Sequence, residues 1–184
     1  MEEAERDVLD LLIEQHQVVR ELLSTIATCP SSERAEPFEM LARVLAVHET
    51  AEEEVVHPRV RKIDDAADAL VQSRVDEESA AKKVLADLEK MDPASSEFEL
   101  AFLKFQQDVE FHAENEESTI FPLLMADADL EERTRLGSML VAAEVFAPTH
   151  AHKMAPDSAL GNLLVGPPVA VFDRVRDAIK DRRR

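Results

Sequence analysis

His48-Glu49-Thr50-Ala51-Glu52-Glu53-Glu54-Val55-Val56-His57-Pro58 and His112-Ala113-Glu114-Asn115-Glu116-Glu117-Ser118-Thr119-Ile120-Phe121-Pro122 are the two stretches on which the fold turns. They repeat one another at an offset of 64 residues: histidine, glutamate four on, a second glutamate and, ten residues after the histidine, a proline. Residues i and i+4 share one face of an α-helix, so each His–Glu pair points in one direction. Both pairs lie on apolar lines of helical period: Phe38, Leu41, Leu45, His48, Glu52, Val55, and Phe98, Phe102, Phe105, Val109, His112, Glu116, Ile120, Leu123.

The segments before them repeat as well. His16 is followed by Val19 and Leu22-Leu23, and Glu78 by Ala81 and Val84-Leu85, at an offset of 62. Their lines are Val8, Leu12, His16, Val19, Leu23, Ile26, and Val71, Val75, Glu78, Ala81, Leu85, Leu88. The chain therefore reads as two helical hairpins of one design. The spacing predicts helices over 3–28, 36–61, 66–91 and 96–126, broken at Cys29-Pro30-Ser31-Ser32 and Asp92-Pro93-Ala94-Ser95-Ser96. Pro58 and Pro122 each remove a helical hydrogen bond and are expected to bend or end their helices. A shorter fifth helix follows Asp129, capped by it with Glu132 three residues on. Four helices of similar length with short joins make an all-α, up-down-up-down four-helix bundle. The bundle is assigned to residues 1–126. Residues 127–184 are assigned to the accessory helix, an irregular Pro/Gly-containing run and a basic C-terminal helix.

Composition bounds the rest. The chain has 184 residues and 20.6 kDa, enough for one domain with a real core, and 45% hydrophobic residues exclude disorder. Only three glycines occur, and no strand-like alternation is bounded by turn residues. No apolar run nears the ~20 residues of a membrane span. The acidic start, Met1-Glu2-Glu3-Ala4-Glu5, is not that of a signal or transit peptide. One cysteine, Cys29, excludes an internal disulfide framework and a cysteine-rich zinc site. Cytoplasmic residence is the expectation. A net charge of −18 repels nucleic acid and anionic membranes. The tail from Val171 to Arg184 is the exception, with six basic and three acidic residues, and reads as a solvated helix end rather than a docking element.

Each inward line carries ionisable residues near its middle: His16, His48 with Glu52, Glu78, and His112 with Glu116. Three buried carboxylates without partners are a liability of several kcal/mol each, and these stripes offer no Lys or Arg at the same level. A metal is the simplest counter-charge, and mixed imidazole and carboxylate ligands suit iron, manganese or zinc. Two hairpins of one design, each giving one residue from its first helix and two from its second, imply two metals with shared carboxylates.

This pattern resembles the hemerythrin-like family, or HHE cation-binding domain: His, then H-x-x-x-E, then His, then H-x-x-x-E. The likeness covers residues 8 to 126, including the continuations through Val55-Val56 to Pro58 and through Ile120-Phe121 to Pro122. It implies a bundle around two non-haem irons with an oxo or hydroxo bridge. It also implies binding or sensing of dioxygen, nitric oxide or iron, or decomposition of hydrogen peroxide. His16, His48, Glu52, His112 and Glu116 match family ligands, and Glu52 and Glu116 match the bridging carboxylates. Glu78 stands where the family has a histidine. Ser79 is a poor ligand, and Glu77 would serve if the third helix were rotated. The additional carboxylate makes each oxidation state of the site one unit less positive and favours the ferric form. Redox turnover, catalase-like with peroxide, is thus expected over reversible oxygen carriage. The alternatives are an oxygen, nitric oxide or iron binding or sensing module without turnover, and a metal-free or zinc-filled bundle acting through its tail. With no tyrosine in the chain, no tyrosyl radical takes part.

His57, whose repeat partner is the apolar Phe121, is placed inward as a further ligand or as a residue supporting the ligands, against a packed histidine at a helix end. Glu53, Glu54 and Glu117 are read as solvated, with one of them able to orient a histidine. His150 and His152 are read as incidental, Cys29 as non-catalytic and the phenylalanine line as core.

Overall fold

The computed structural model describes residues 6–146 and Phe172. Among them there are helices and turns and no strand. Six α-helices follow in order: α1 (Val8–Thr28), α2 (Ala35–Val60), α3 (Asp65–Leu88), α4 (Ser96–Asn115), α5 (Phe121–Asp127) and α6 (Leu130–Phe146). Helix α1 packs on α2 and α4, and α3 packs on α2 and α4, which closes the expected four-helix ring.

Local chemistry fixes the helix starts. Asp7 accepts the Leu9 amide, so α1 begins at Val8 rather than Glu3. Asp64 does the same for Ala67 at the start of α3, and Ser95 for Phe98 at the start of α4. Helix α3 ends at Leu88, before the Asp92-Pro93 break. Asp129 accepts the Glu132 amide at 2.8 Å, so the predicted cap of α6 forms. The Glu132 side chain turns instead to Arg59 on α2, at 2.7 Å.

The two prolines behave differently. Helix α2 runs through Pro58 to Val60. The expected single helix over 96–126 instead contains a π turn, Glu116–Ile120, between α4 and α5. The Phe121 amide reaches back five residues to the Glu116 carbonyl. A proline ring strikes the carbonyl four residues before it, here Ser118, and a widened turn relieves that contact. The insertion falls on one of the proposed metal-binding carboxylates.

Two apolar clusters lie on either side of the polar residues. One holds Val19, Leu23, Leu41, Leu45, Leu88 and the Phe38, Phe98, Phe102 and Phe105 rings, with Phe172 packed into it. Phe38 meets Phe98 edge to face at 5.0 Å, and Phe98 stacks on Phe102 at 5.6 Å, so the phenylalanine line is core. The other cluster joins Leu12, Val56, Val71, Ile120 and Leu124 to Leu136, Leu140 and Ala143 of α6. Helix α6 thus lies against α1 and α2 outside the ring of four. His150, His152 and the basic tail lie outside the described residues, apart from Phe172.

Candidate metal centre

His16, His48, Glu52, His57, Glu78 and Glu116 are each at most 3% exposed, at mid-height of the bundle. They form two groups in which one ligand atom per residue lies within 4.8 Å of the others: His16, His48, Glu52, Glu116, and Glu52, His57, Glu78, Glu116. Glu52 and Glu116 are common to both. His112 flanks the second group, its Nε2 3.5 Å from Glu116 and 3.9 Å from Glu78.

Three imidazoles are held from behind. His16 Nδ1 donates to Glu117 at 2.8 Å, and Glu117 is in turn held by Arg20 at 2.9 Å. His112 Nδ1 donates to Glu77 at 3.2 Å, and Glu77 is held by Arg74 at 2.7 Å. His48 Nδ1 donates to Gln15 Oε1 at 2.8 Å, and Gln15 Nε2 donates to buried Glu144 of α6 at 2.5 Å. Acceptor partners at Nδ1 leave Nε2 with its lone pair toward the centre, the arrangement in which imidazole binds a metal. Glu117 is therefore the one of the three carboxylates Glu53, Glu54 and Glu117 that orients a histidine, His16. Glu77 does not replace Glu78; it stands behind His112, and Ser79 faces outward. Glu54 is exposed as expected. Cys29, at the end of α1, lies away from the cluster.

The expectation of no Lys or Arg at this level fails. Lys82, one turn beyond Glu78 on the same face, does bring a positive charge to this level. Its Nζ lies 2.7 Å from Glu53, 3.3 Å from Glu49 and 3.7 Å from Glu78. Its long stem lets a half-exposed residue reach inward, which position on the stripe does not reveal. Gln15, Glu49, Lys82 and Glu144 are the neighbours that sequence reading missed. The repeat offsets map Arg20 onto Lys82 and Glu117 onto Glu53, and were the available signal for that pair.

The lysine does not satisfy the centre. His16 Nε2, His112 Nε2, both nitrogens of His57 and both oxygens of Glu52, Glu78 and Glu116 are buried without a hydrogen-bond partner. Burial pushes Glu78 up to about 9, with Glu49 and Glu116 adding to the rise. Burial, together with Glu116 and Glu78, likewise holds Glu52 well above the ordinary carboxylate range. Glu116 goes the other way, because His16 and His57 outweigh its burial. Burial and the neighbouring imidazoles lower His48 to about 3. Burial pulls His16 down too, but Glu116 and Glu117 outweigh it and raise His16. So many unpartnered imidazole nitrogens and carboxylate oxygens converging in a dry interior suit a bound cation of two or more charges.

A cavity of about 20 Å³, room for about one water-sized molecule, adjoins the cluster. His16, His48, Glu49, Glu78 and His112 meet Val19, Leu45, Ala81, Val109 and Ala113 around it. Glu49 is 8% exposed, and burial raises it to about 7 against the pull of Lys82.

Residues 7–136 match the hemerythrin HHE cation-binding domain. The chain belongs to the hemerythrin-like family. An uncharacterized hemerythrin-like protein of Schizosaccharomyces pombe is 26% identical over 137 residues, which are 74% of this chain and 68% of that one. A DNA nickase of Nostoc sp. is 27% identical over 139 residues, 75% of this chain but only 39% of the nickase. No solved structure matches. The hemerythrin-like fold thus stands on both the bundle and the family match, and the buried His/Glu cluster lies within the matched span.

Proposed function

We propose that this hemerythrin-like protein holds two non-haem irons and turns over a small oxygen species, hydrogen peroxide first, in a catalase-like cycle. The observation that carries the reading is the convergence of unpartnered buried ligand atoms in two groups sharing Glu52 and Glu116. His16, His48, Glu52, Glu78, His112 and Glu116 would hold the metals; Glu52 and Glu116, common to both groups, would be shared between them, with an oxo or hydroxo group as a further link. When bound, the iron pair supplies the two-electron redox capacity that peroxide disproportionation needs.

The chain's own groups do the rest. Glu117, Gln15 and Glu77 fix three imidazoles with Nε2 inward. Glu78 adds negative charge where the family has a neutral ring, which stabilises higher metal charge. Val19, Leu45, Ala81, Val109 and Ala113 keep bulk water out, and the cavity has room for about one molecule near the size of water. Glu49, with its pKa near neutrality on the cavity wall, holds or releases a proton at its carboxyl oxygen beside the bound substrate.

Metal analysis of chelator-free protein, an absorption spectrum and a peroxide assay test this. Two irons per chain with rapid oxygen evolution support it. Two irons with reversible ligand spectra and no turnover favour the binding or sensing alternative. Absence of iron, or zinc alone, returns the protein to the structural reading. Nothing assigns the DNA nicking for which the Nostoc relative is named to this chain, which spans under two fifths of that protein and is strongly acidic.

A further inference from the structure

The repeat relation between the hairpins reaches beyond the matched ligands. Arg20–Glu117 and Lys82–Glu53 are equivalent pairs at offsets of 62 and 64, and both form, at 2.9 and 2.7 Å. In the first half the braced carboxylate also holds His16. In the second, Lys82 stands between Glu53, at 2.7 Å, and Glu78, at 3.7 Å. Glu78 therefore occupies the braced place that His16 has in the first half. The halves differ at one more position. Phe121 stacks on the His16 ring, centroids 5.7 Å apart and planes 12° from parallel. Its repeat equivalent, His57, lies beside Glu78 instead, Nε2 to Oε1 3.8 Å, and 3.7 Å from Glu116.

We propose that the imidazole missing from the third helix is supplied by His57 of α2. One half pairs an imidazole with a phenyl ring, His16 with Phe121; the other pairs a carboxylate with an imidazole, Glu78 with His57. This inference rests on the metal-binding reading above and adds a ligand to it. The second metal position is then held by His57, Glu78 and His112, and shares Glu52 and Glu116 with the first.

The state of the His57 nitrogens supports this assignment. The ring is 3% exposed, yet neither nitrogen has a hydrogen-bond partner, whereas each other histidine of the cluster has Nδ1 tied to a side chain. A cation at Nε2 would take up one of these unpaired atoms, whereas at 3.8 and 3.7 Å the ring makes no hydrogen bond by which it could orient Glu78 or Glu116. A helix-end histidine packed for its shape has no reason to meet three carboxylates within 4.8 Å.

The decisive experiment follows histidine ring nitrogens by NMR in full-length, metal-free protein labelled with ¹⁵N-histidine and titrated with Zn(II). The expected result is that a His57 ring nitrogen moves to the metal-bound shift during the second equivalent, alongside His16, His48 and His112. In parallel, Co(II) absorption should saturate at two equivalents in the wild type. In His57→Phe, which installs the side chain found at the equivalent position, the second equivalent should weaken at least ~10-fold. A His57 signal still at a non-metal shift when two equivalents are bound overturns the proposal. So does a folded His57→Phe that keeps two equivalents at unchanged affinity. If that variant does not fold, the wild-type titration decides alone. Wild-type protein that binds neither ion takes down the metal-binding reading and this inference with it. Two bound equivalents with a silent His57 take down only the transposition.

Discussion

At Glu49 a carboxyl is withdrawn from water beside a lysine, and burial wins: the group titrates near 7. It adjoins His48 but is not among the grouped ligands, so its proton rather than its charge is what the cavity would use. Glu49→Gln keeps the shape and removes the titration. It is expected to lower peroxide turnover by about 10²-fold, to flatten the pH–rate profile around neutrality and to leave metal content unchanged. A steady-state pH profile with metal analysis on the same sample checks this. Glu78 and Glu52 make a second prediction at this scale. Both hold protons in the metal-free protein at neutral pH, Glu78 up to about 9, and a cation must displace those protons. Metal affinity should therefore fall as pH falls from 9 to 6, with proton release on binding, measurable by calorimetry in buffers of different ionisation enthalpy.

The helices matter for what they hold in line. Helix α6 contributes Glu144, which reaches through Gln15 of α1 to His48 of α2. Replacing Gln15 by Leu breaks that chain at its centre, leaves His48 Nδ1 without its acceptor and loses a buried hydrogen bond to a carboxylate. We expect metal affinity to fall 10–100-fold and the metal-free protein to lose about 1–3 kcal/mol, read by competition with a chromophoric chelator and by thermal melting. Helix α6 is itself set close. A Cβ added at Gly137 would lie 2.1 Å from the Arg6 carbonyl oxygen and 3.2 Å from the Val8 amide nitrogen. Gly137→Ala must push α6 away from the start of α1, disturbing the Arg133–Asp7 pair at 2.8 Å. A loss of about 1–3 kcal/mol is expected, lowering Tm by several degrees.

For the whole molecule, the site is a source of instability until filled. Glu49, Glu52 and Glu78 have folded pKa values above their unfolded value of 4.5. The folded state therefore binds more protons, and the stability they add below pH 4.5 is lost as pH rises through about 7 and about 9. His48, lowered to about 3, works in the opposite sense, its contribution rising between about 3 and 6.5. Between pH 6.5 and 9 the carboxylates prevail, and metal-free protein should lose stability at roughly 1 kcal/mol per pH unit. Bound metal pairs these carboxylates in their ionised form, so the loaded protein should keep its Tm over that range and melt well above the metal-free form. Melting curves at several pH values, with and without chelator, check both statements.

The sequence by itself determined the bundle, its two-hairpin repeat and the inward placing of His16, His48, Glu52, Glu78, His112 and Glu116. Helical period and i, i+4 spacing are local, and a residue's place on a stripe says whether it faces the core. It did not determine which atom meets which. Lys82 was passed over because a flexible stem carries its charge inward from an exposed backbone position. Glu117 reads as a solvated carboxylate and Glu77 as a substitute ligand for Glu78, because nothing in their own helices shows that a histidine of a neighbouring helix lies beside them. Pro122 announced a break, but only the tertiary structure decided that it would become a π turn on Glu116 rather than a helix end. The link from Glu144 to His48 joins residues far apart in the chain, and such contacts exist only once α6 is laid against α1. Local pattern chose the elements and their faces; packing chose the partners, because hydrogen-bond direction and side-chain reach are settled between helices.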